Sequence, residues 1–290
     1  MPHATARDGT QLYFEETGNG VPLIFVHEFS GDYRSWELQV RFFSRRYRCV
    51  TFCARGYPPS DVPKARAKYS WQTAVDDIAD VLRHLRLKNA HVVGCSMGAY
   101  SSLQFGMRYP SMALSVTTVG AGAGSNPVTR AAFLCATEDN ARLFETLGMP
   151  AAVRERGFAA GRIPQMLKDP RGFAEFRRIH ESHSATGLAN VQRGVQAKRP
   201  PIYQLENALR KYRPPLMVIA GDEDDNSIGP ALFIKQTSLN ARLWICPSAG
   251  HTVNTEEPDA FNRNVLDFLT LVDGGRWKPR DARSVVKAKK

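Results

Sequence analysis

The sequence predicts an α/β fold: a mostly parallel sheet flanked by helices, with a helical segment inserted between two of its strands. Three observations carry this. Short apolar runs alternate with stretches of helical spacing from residue 22 to 119 and again from 216 to 271, and strand–helix alternation implies parallel strands joined by crossover helices. Between those zones lies a long stretch with no strand pattern. Finally, the apolar run at Val92-Val93 ends in Gly94-Cys95-Ser96-Met97-Gly98 and continues as a helical pattern through Leu103, Phe105 and Met107, so a very sharp turn joins strand to helix.

The elements follow in order. Residues 11–17 alternate through Leu12 and Phe14 and lead into the turn Gly18-Asn19-Gly20. Residues 22–27 are continuously apolar, as expected of a strand buried on both faces. These two strands are expected to pair as a hairpin feeding the sheet. Residues 33–45 have helical spacing at Trp36, Val40 and Phe43, and residues 48–53 form a short apolar strand. Residues 71–87 are an amphipathic helix through Ala74, Val75, Ile78, Val81, Leu82 and Leu85. After the sharp turn and its helix comes a strand over 114–119. The alternation stops at Ala121-Gly122-Ala123-Gly124-Ser125-Asn126-Pro127 and resumes with strands over 216–220 and 241–246 and helices over 230–239 and 258–271.

These boundaries give a core of residues 1–125 and 214–273, a helical cap over 126–213, and a tail over 274–290 whose basic, aperiodic sequence argues for disorder. The net charge of +11 is uneven: residues 126–213 carry 15 basic and 8 acidic side chains, and residues 214–275 carry 3 and 9. The basicity therefore belongs to the cap and tail, and no nucleic-acid recognition motif accompanies it. No apolar run approaches the ~20 residues of a membrane span, and the N-terminus lacks a signal-peptide pattern, so a cytoplasmic protein is expected. The five cysteines read as small buried hydrophobes of a reducing compartment, with no Cys/His spacing for zinc.

The turn at Ser96 presents a hydroxyl at the start of a helix. A serine hydroxyl is a poor nucleophile at neutral pH and needs a base within hydrogen-bond reach and a third group to fix that base's tautomer. His251 in Ser248-Ala249-Gly250-His251 follows the last strand, whereas each of the other six histidines fits a surface loop. The strand over 216–220 leads into Gly221-Asp222-Glu223-Asp224-Asp225, a run that also suits a solvated turn or helix cap. The other loop able to present an acid, residues 120–126, contains none.

Over roughly residues 11–271 the chain resembles the alpha/beta-hydrolase superfamily with a cap, and the order Ser96, acid, His251 is that family's order. The family commonly carries its acid three residues after the glycine closing the strand, which selects Asp224. The resemblance assigns the oxyanion hole to the N–H groups of Phe29 and Met97. Two departures stand out. The family's usual His-Gly after the first buried strand is here His27-Glu28-Phe29, and its Asp-x-Arg-Gly-x-Gly-x-Ser is Cys53-Ala54-Arg55-Gly56-Tyr57-Pro58-Pro59-Ser60. Glu28 is either a surface carboxylate or a pocket group acting on His251, a water or the substrate.

The resemblance implies a serine hydrolase of the carboxylesterase kind, acting on a small-molecule ester without cofactor or metal. Lactone hydrolysis, carbon–carbon bond hydrolysis and perhydrolysis use the same triad. A ligand-binding receptor on the same fold is the alternative of another class. Phe133, Leu134, Phe144, Leu147, Phe158, Phe173 and Phe176 are expected to supply the cap's apolar walls. Its arginines are expected on an outer face, with Arg177 and Arg178 the candidates for steering acidic esters.

Overall fold

The computed structural model describes residues 2–285. Eight strands form one sheet in the order β1-β2-β4-β3-β5-β6-β7-β8. These are β1 (His3–Thr5), β2 (Gln11–Thr17), β3 (Val21–Val26), β4 (Tyr47–Phe52), β5 (Ala90–Cys95), β6 (Ala113–Val119), β7 (Leu216–Gly221) and β8 (Ala241–Cys246). Neighbours from β4 through β8 pair in parallel, and the pairings of β2 with β1 and β4 are antiparallel. Helices α1 (Glu37–Phe43), α2 (Trp71–His84) and α3 (Met97–Arg108) accompany the first strands. Between β6 and β7 lie α4 (Arg130–Leu147), α5 (Met149–Arg156), α6 (Ile163–Lys168), α7 (Pro170–Glu181), α8 (Ala185–Val191) and α9 (Glu206–Arg210). Then come α10 (Asp225–Thr237), α11 (Val253–Glu256) and α12 (Pro258–Asp273).

The pleat explains why the strands are apolar throughout. On β3, Leu23 and Phe25 join one core cluster with Phe43, Phe261 and Val265, while Ile24 and Val26 join another with Ile78, Val81, Leu103 and Phe105. Successive side chains thus point into two different helical layers. Each fully buried aliphatic or aromatic side chain contributes about 1.5–3 kcal/mol. Helix α2 begins where Ser70 accepts the N–H of Thr73 at 3.0 Å.

Three expectations need correction, and one strand carries no sequence signal. The hairpin does not form: β2 pairs with β4, Phe14 opposite Phe52, because both edges of β3 are taken by the parallel partners β4 and β5. The three-residue β1 was too short to leave a periodic signal. Helix α10 begins at Asp225 and runs through Pro230, because a proline within a helix removes one hydrogen bond but does not mark its start. The tail is ordered as far as it is described. Trp277 meets Phe268 with ring centroids 4.7 Å apart, and the Arg280 N–H donates to Leu239 O at 2.7 Å. One aromatic anchor thus ties an otherwise polar segment to the sheet edge; residues 286–290 lie outside the described residues.

All five cysteines are free, and Cys135 on α4 is the exposed exception to the expected burial. Among the described residues no helix is long and apolar enough to cross a membrane.

Candidate active site

Strand β5 turns into α3 at Ser96, whose φ of 54° lies in the left-handed region, a conformation that costs a non-glycine residue on the order of 1–3 kcal/mol. The flanking glycines make the turn possible through close approach. A Cβ on Gly94 would stand 2.3 Å from Gly98 O, and one on Gly98 would stand 2.1 Å from Val26 O. Ser96 N–H donates to Val119 O at 2.7 Å, which ties the turn to β6. Cys95 is fully buried in the sheet cluster shared with Val93 and Val119, while Ser96 keeps accessible surface.

Asp224 and His251 arrive from the ends of β7 and β8. His251 Nδ1 lies 2.6 Å from Asp224 Oδ2, and Nε2 lies 2.8 Å from Ser96 Oγ. An ionised carboxylate only accepts, so Nδ1 carries the proton and Nε2 is left to accept from the serine hydroxyl. Of the four consecutive acids only Asp224 is buried. It sits at the N-cap of α10 without capping it, its carboxylate being turned to His251. Burial pushes its pKa up, but the charge and hydrogen bond of His251 outweigh that and hold it below the ordinary carboxylate value.

Two groups without a local signal in the sequence hold the His251 loop. The Glu256 carboxylate accepts the N–H groups of Gly250 and Thr252, on either side of His251. From the helical insertion, Gly161 O accepts the N–H of His251 at 2.8 Å.

The loop after β3 is held as firmly. The Ala54 N–H donates to His27 Nε2 at 3.0 Å, which leaves Nδ1–H to donate to Glu28 O at 2.7 Å, and Tyr57 OH donates to Phe29 O at 2.9 Å. Burial keeps His27 neutral by pushing its pKa down. Among the described residues, neither Phe29 N–H nor Met97 N–H has a protein acceptor. Two of the three motif residues retained in the loop after β4, Arg55 and Ser60, do structural work. Arg55 grips Asp77 of α2 with two bonds, at 2.8 and 2.7 Å, and Ser60 joins Tyr13 N–H to Cys53 O.

A cavity of about 230 Å³ opens over Ser96 and His251, and its far wall belongs to the insertion: Phe133, Thr137, Arg156, Phe158, Arg162 and Phe176. Gln192 and Gln196, at the two ends of a π-helical turn, line it as well. Glu28 is 4% exposed and lines this cavity, which excludes the surface reading. Its Oε1 faces Arg162 Nη2 at 3.5 Å and accepts from Ser35 Oγ at 3.3 Å, while Oε2 is buried without a partner.

Other expectations fail here. Arg177 pairs with Glu181 one turn on, and neither it nor Arg178 lines the cavity. Leu134 and Leu147 face outward, 37% and 49% exposed. Of the six histidines assigned to surface loops, His27, His91, His180 and His183 are buried. His91 bridges Ser115 and Asp273, so it belongs to the core.

With this geometry in view, comparison with known proteins defines the class. A model of the alpha/beta hydrolase family matches residues 23–264, and the chain belongs to that family. It is 30% identical to 3-oxoadipate enol-lactonase 1 of Acinetobacter baylyi, over 92% of this chain and 96% of that one. It is 24% identical to the 2-(acetamidomethylene)succinate hydrolase of Mesorhizobium japonicum, over 89% of this chain and 91% of the other. Among solved structures, a thermophilic esterase from Thermogutta terrifontis, bound to malate, superposes with a TM-score of 0.79 at 23% identity, covering 93% of this chain and 98% of its own; that likeness concerns the fold.

Proposed function

We propose that this protein is a serine hydrolase that cleaves a small carboxylic ester through an acyl-enzyme. The observation that carries the reading is the continuous hydrogen-bonded chain from Asp224 through His251 to Ser96. Ser96 Oγ attacks the ester carbonyl while His251 Nε2 takes its proton. The charge that develops on the carbonyl oxygen is met by the Phe29 and Met97 N–H groups and the N-terminal end of α3. Collapse of the tetrahedral intermediate expels the alcohol, which receives the proton from His251. A water, deprotonated by the same nitrogen, then attacks the acyl-enzyme, and Ser96 leaves with the proton returned. Asp224 holds the imidazole in the required tautomer and stabilises its cationic form. No cofactor enters these steps.

In this reading residues 126–213 act as a lid, whose apolar side chains Phe133, Phe158 and Phe176 keep bulk water from the acyl-enzyme. A lactone is an internal ester and needs no different machinery. The relative named as an enol-lactonase, matched over nearly its whole length, makes lactone hydrolysis the second reading. Carbon–carbon hydrolysis and perhydrolysis would use the same residues, and a receptor would use the cavity without turnover.

The test is a fluorophosphonate probe together with a panel of short-chain esters. Covalent labelling at Ser96 and ester turnover, both absent in Ser96→Ala, are the expected results. An unlabelled Ser96 in a folded protein with no turnover would favour the receptor.

A further inference from the structure

The formal charges lining the cavity balance, Glu28 and Asp224 against Arg156 and Arg162, but they are not evenly paired. Asp224 is committed to His251, and Glu28 to Arg162. Arg162 is held further by Gln165 Oε1 at 2.9 Å and Thr252 Oγ1 at 3.1 Å, and its guanidinium lies 4.1 Å over the ring of Phe176. It is therefore a wall, fixed and already neutralised.

Arg156 differs. It ends α5 and lines the same cavity. Among the described residues no hydrogen bond or ion pair engages it, and the one charge bearing on it, that of Arg162, has its own sign. Burial and Arg162 push its pKa below the ordinary arginine value, yet a guanidinium stays protonated at neutral pH. The residue is exposed, so a ligand entering the cavity can reach it. With no anion of the protein on it, its N–H donors are left to solvent or to a ligand. The same lining offers Thr137, Asn140 and Gln192 as neutral hydrogen-bonding groups.

We propose that Arg156 receives a second, non-reacting carboxylate of the substrate, so that the site selects small anionic esters or lactones, such as half-esters of short dicarboxylic acids. The guanidinium fork matches a carboxylate with two parallel N–H···O bonds. The cavity, about 230 Å³, has room for a chain of a few carbons. Glu28, which alone would repel such an anion, faces Arg162.

This proposal rests on the ester-hydrolase reading, and its test separates the two. The ratio of kcat/KM for ethyl hydrogen succinate, an anion, to that for neutral ethyl butyrate is measured in the parent enzyme, Arg156→Gln and Arg156→Lys. The parent is expected to prefer the anion. Arg156→Gln should lower the ratio roughly 10–100-fold, chiefly through KM, and Arg156→Lys should recover part of it. No preference in the parent, or an unchanged ratio in Arg156→Gln, overturns the proposal, and the neutral ester reports on folding within the same experiment. Calorimetry of ethyl hydrogen succinate on Ser96→Ala reads binding without chemistry. If neither ester is turned over, the hydrolase reading fails and calorimetry alone decides the anion site. At least about tenfold weaker binding on adding Arg156→Gln retains it; equal binding, or none, removes it.

Discussion

On the sheet side of the cavity, Ser96, Asp224 and His251 each hang from a strand end and are joined by hydrogen bonds of 2.6 and 2.8 Å. On the helical side, Arg156 lacks a partner, and both ring nitrogens of His180 are buried without one, among Phe29, Phe144, Phe176 and His183. The sheet side fixes geometry through backbone: β5 and β7 are paired in parallel on both edges and β8 on one, and the three side chains follow from where those strands end. The helical side touches that machinery directly, through Gly161 O on the His251 N–H and Arg162 on Glu28 and Thr252, and it also carries side chains with no partner of their own among the described residues. In the proposed reading, reaction type belongs to one side and substrate choice to the other.

The contrast is broken most severely on the sheet side. Asp224→Asn should cut turnover on the scale of the ~10⁴-fold loss typical when a triad histidine loses its orienting carboxylate, with the protein still folded. Asp225→Asn, at an exposed site on α10, should change kcat/KM less than about threefold, in keeping with other surface substitutions. Steady-state kinetics on one ester checks both, and the reverse ranking would transfer the role to Asp225.

Glu256 tests whether positioning of His251 comes from its own loop. Glu256→Ala leaves two buried N–H groups without their acceptor, at a cost of roughly 1–3 kcal/mol each. A lower Tm and a kcat reduced by about tenfold or more are expected, with KM little changed. An unchanged kcat in a destabilised protein would mean that the insertion alone holds the histidine.

Acid should loosen the helical side first. Burial pushes His183 down to about 4 and His180 well below the ordinary histidine value. Because these folded-state values are depressed, the neutral histidines favour the native state in full above the unfolded value of ~6.5, and that contribution fades as pH falls from 6.5 towards 4. For His183 alone the full effect is on the order of 3 kcal/mol. Hydrogen exchange at pH 7 and pH 5 should show residues 130–196 opening ahead of the sheet, and His183→Gln should flatten the pH dependence of Tm. Uniform opening of both regions would erase the distinction.

Glu28 lies on the boundary and sharpens it. Glu28→Gly restores the commoner His-Gly sequence and releases Arg162 from its carboxylate, so turnover of an anionic ester relative to a neutral one should rise by about three- to tenfold. Identical ratios would remove Glu28 from substrate choice. The smallest effect is expected from Cys95→Ala: the thiol is fully buried in the sheet cluster behind the nucleophile, so a loss of about 1 kcal/mol in stability with activity retained is expected.

What the sequence determined by itself is whatever depends on local pattern. Continuous apolar runs mark strands buried on two faces, the 3.6-residue spacing marks α2, and Gly94 and Gly98 stand where a Cβ would strike backbone at either end of the turn. Ser96 and His251 were equally legible, because each follows a strand, whereas the choice of Asp224 within the run from Asp222 to Asp225 came from the family resemblance. Tertiary structure alone decided the rest. The pairing of β2 with β4 depends on β3 having both edges occupied. Glu28 and Arg162 are 134 positions apart, and Glu256 turns inward only because α11 folds back on its own loop. Among the fifteen basic residues of 126–213, nothing local distinguishes Arg156 from Arg177 or Arg178. The periodicity of a helix tells which residues share a face, but what that face meets is decided by how short helices stack, and that depends on contacts between segments far apart in the chain.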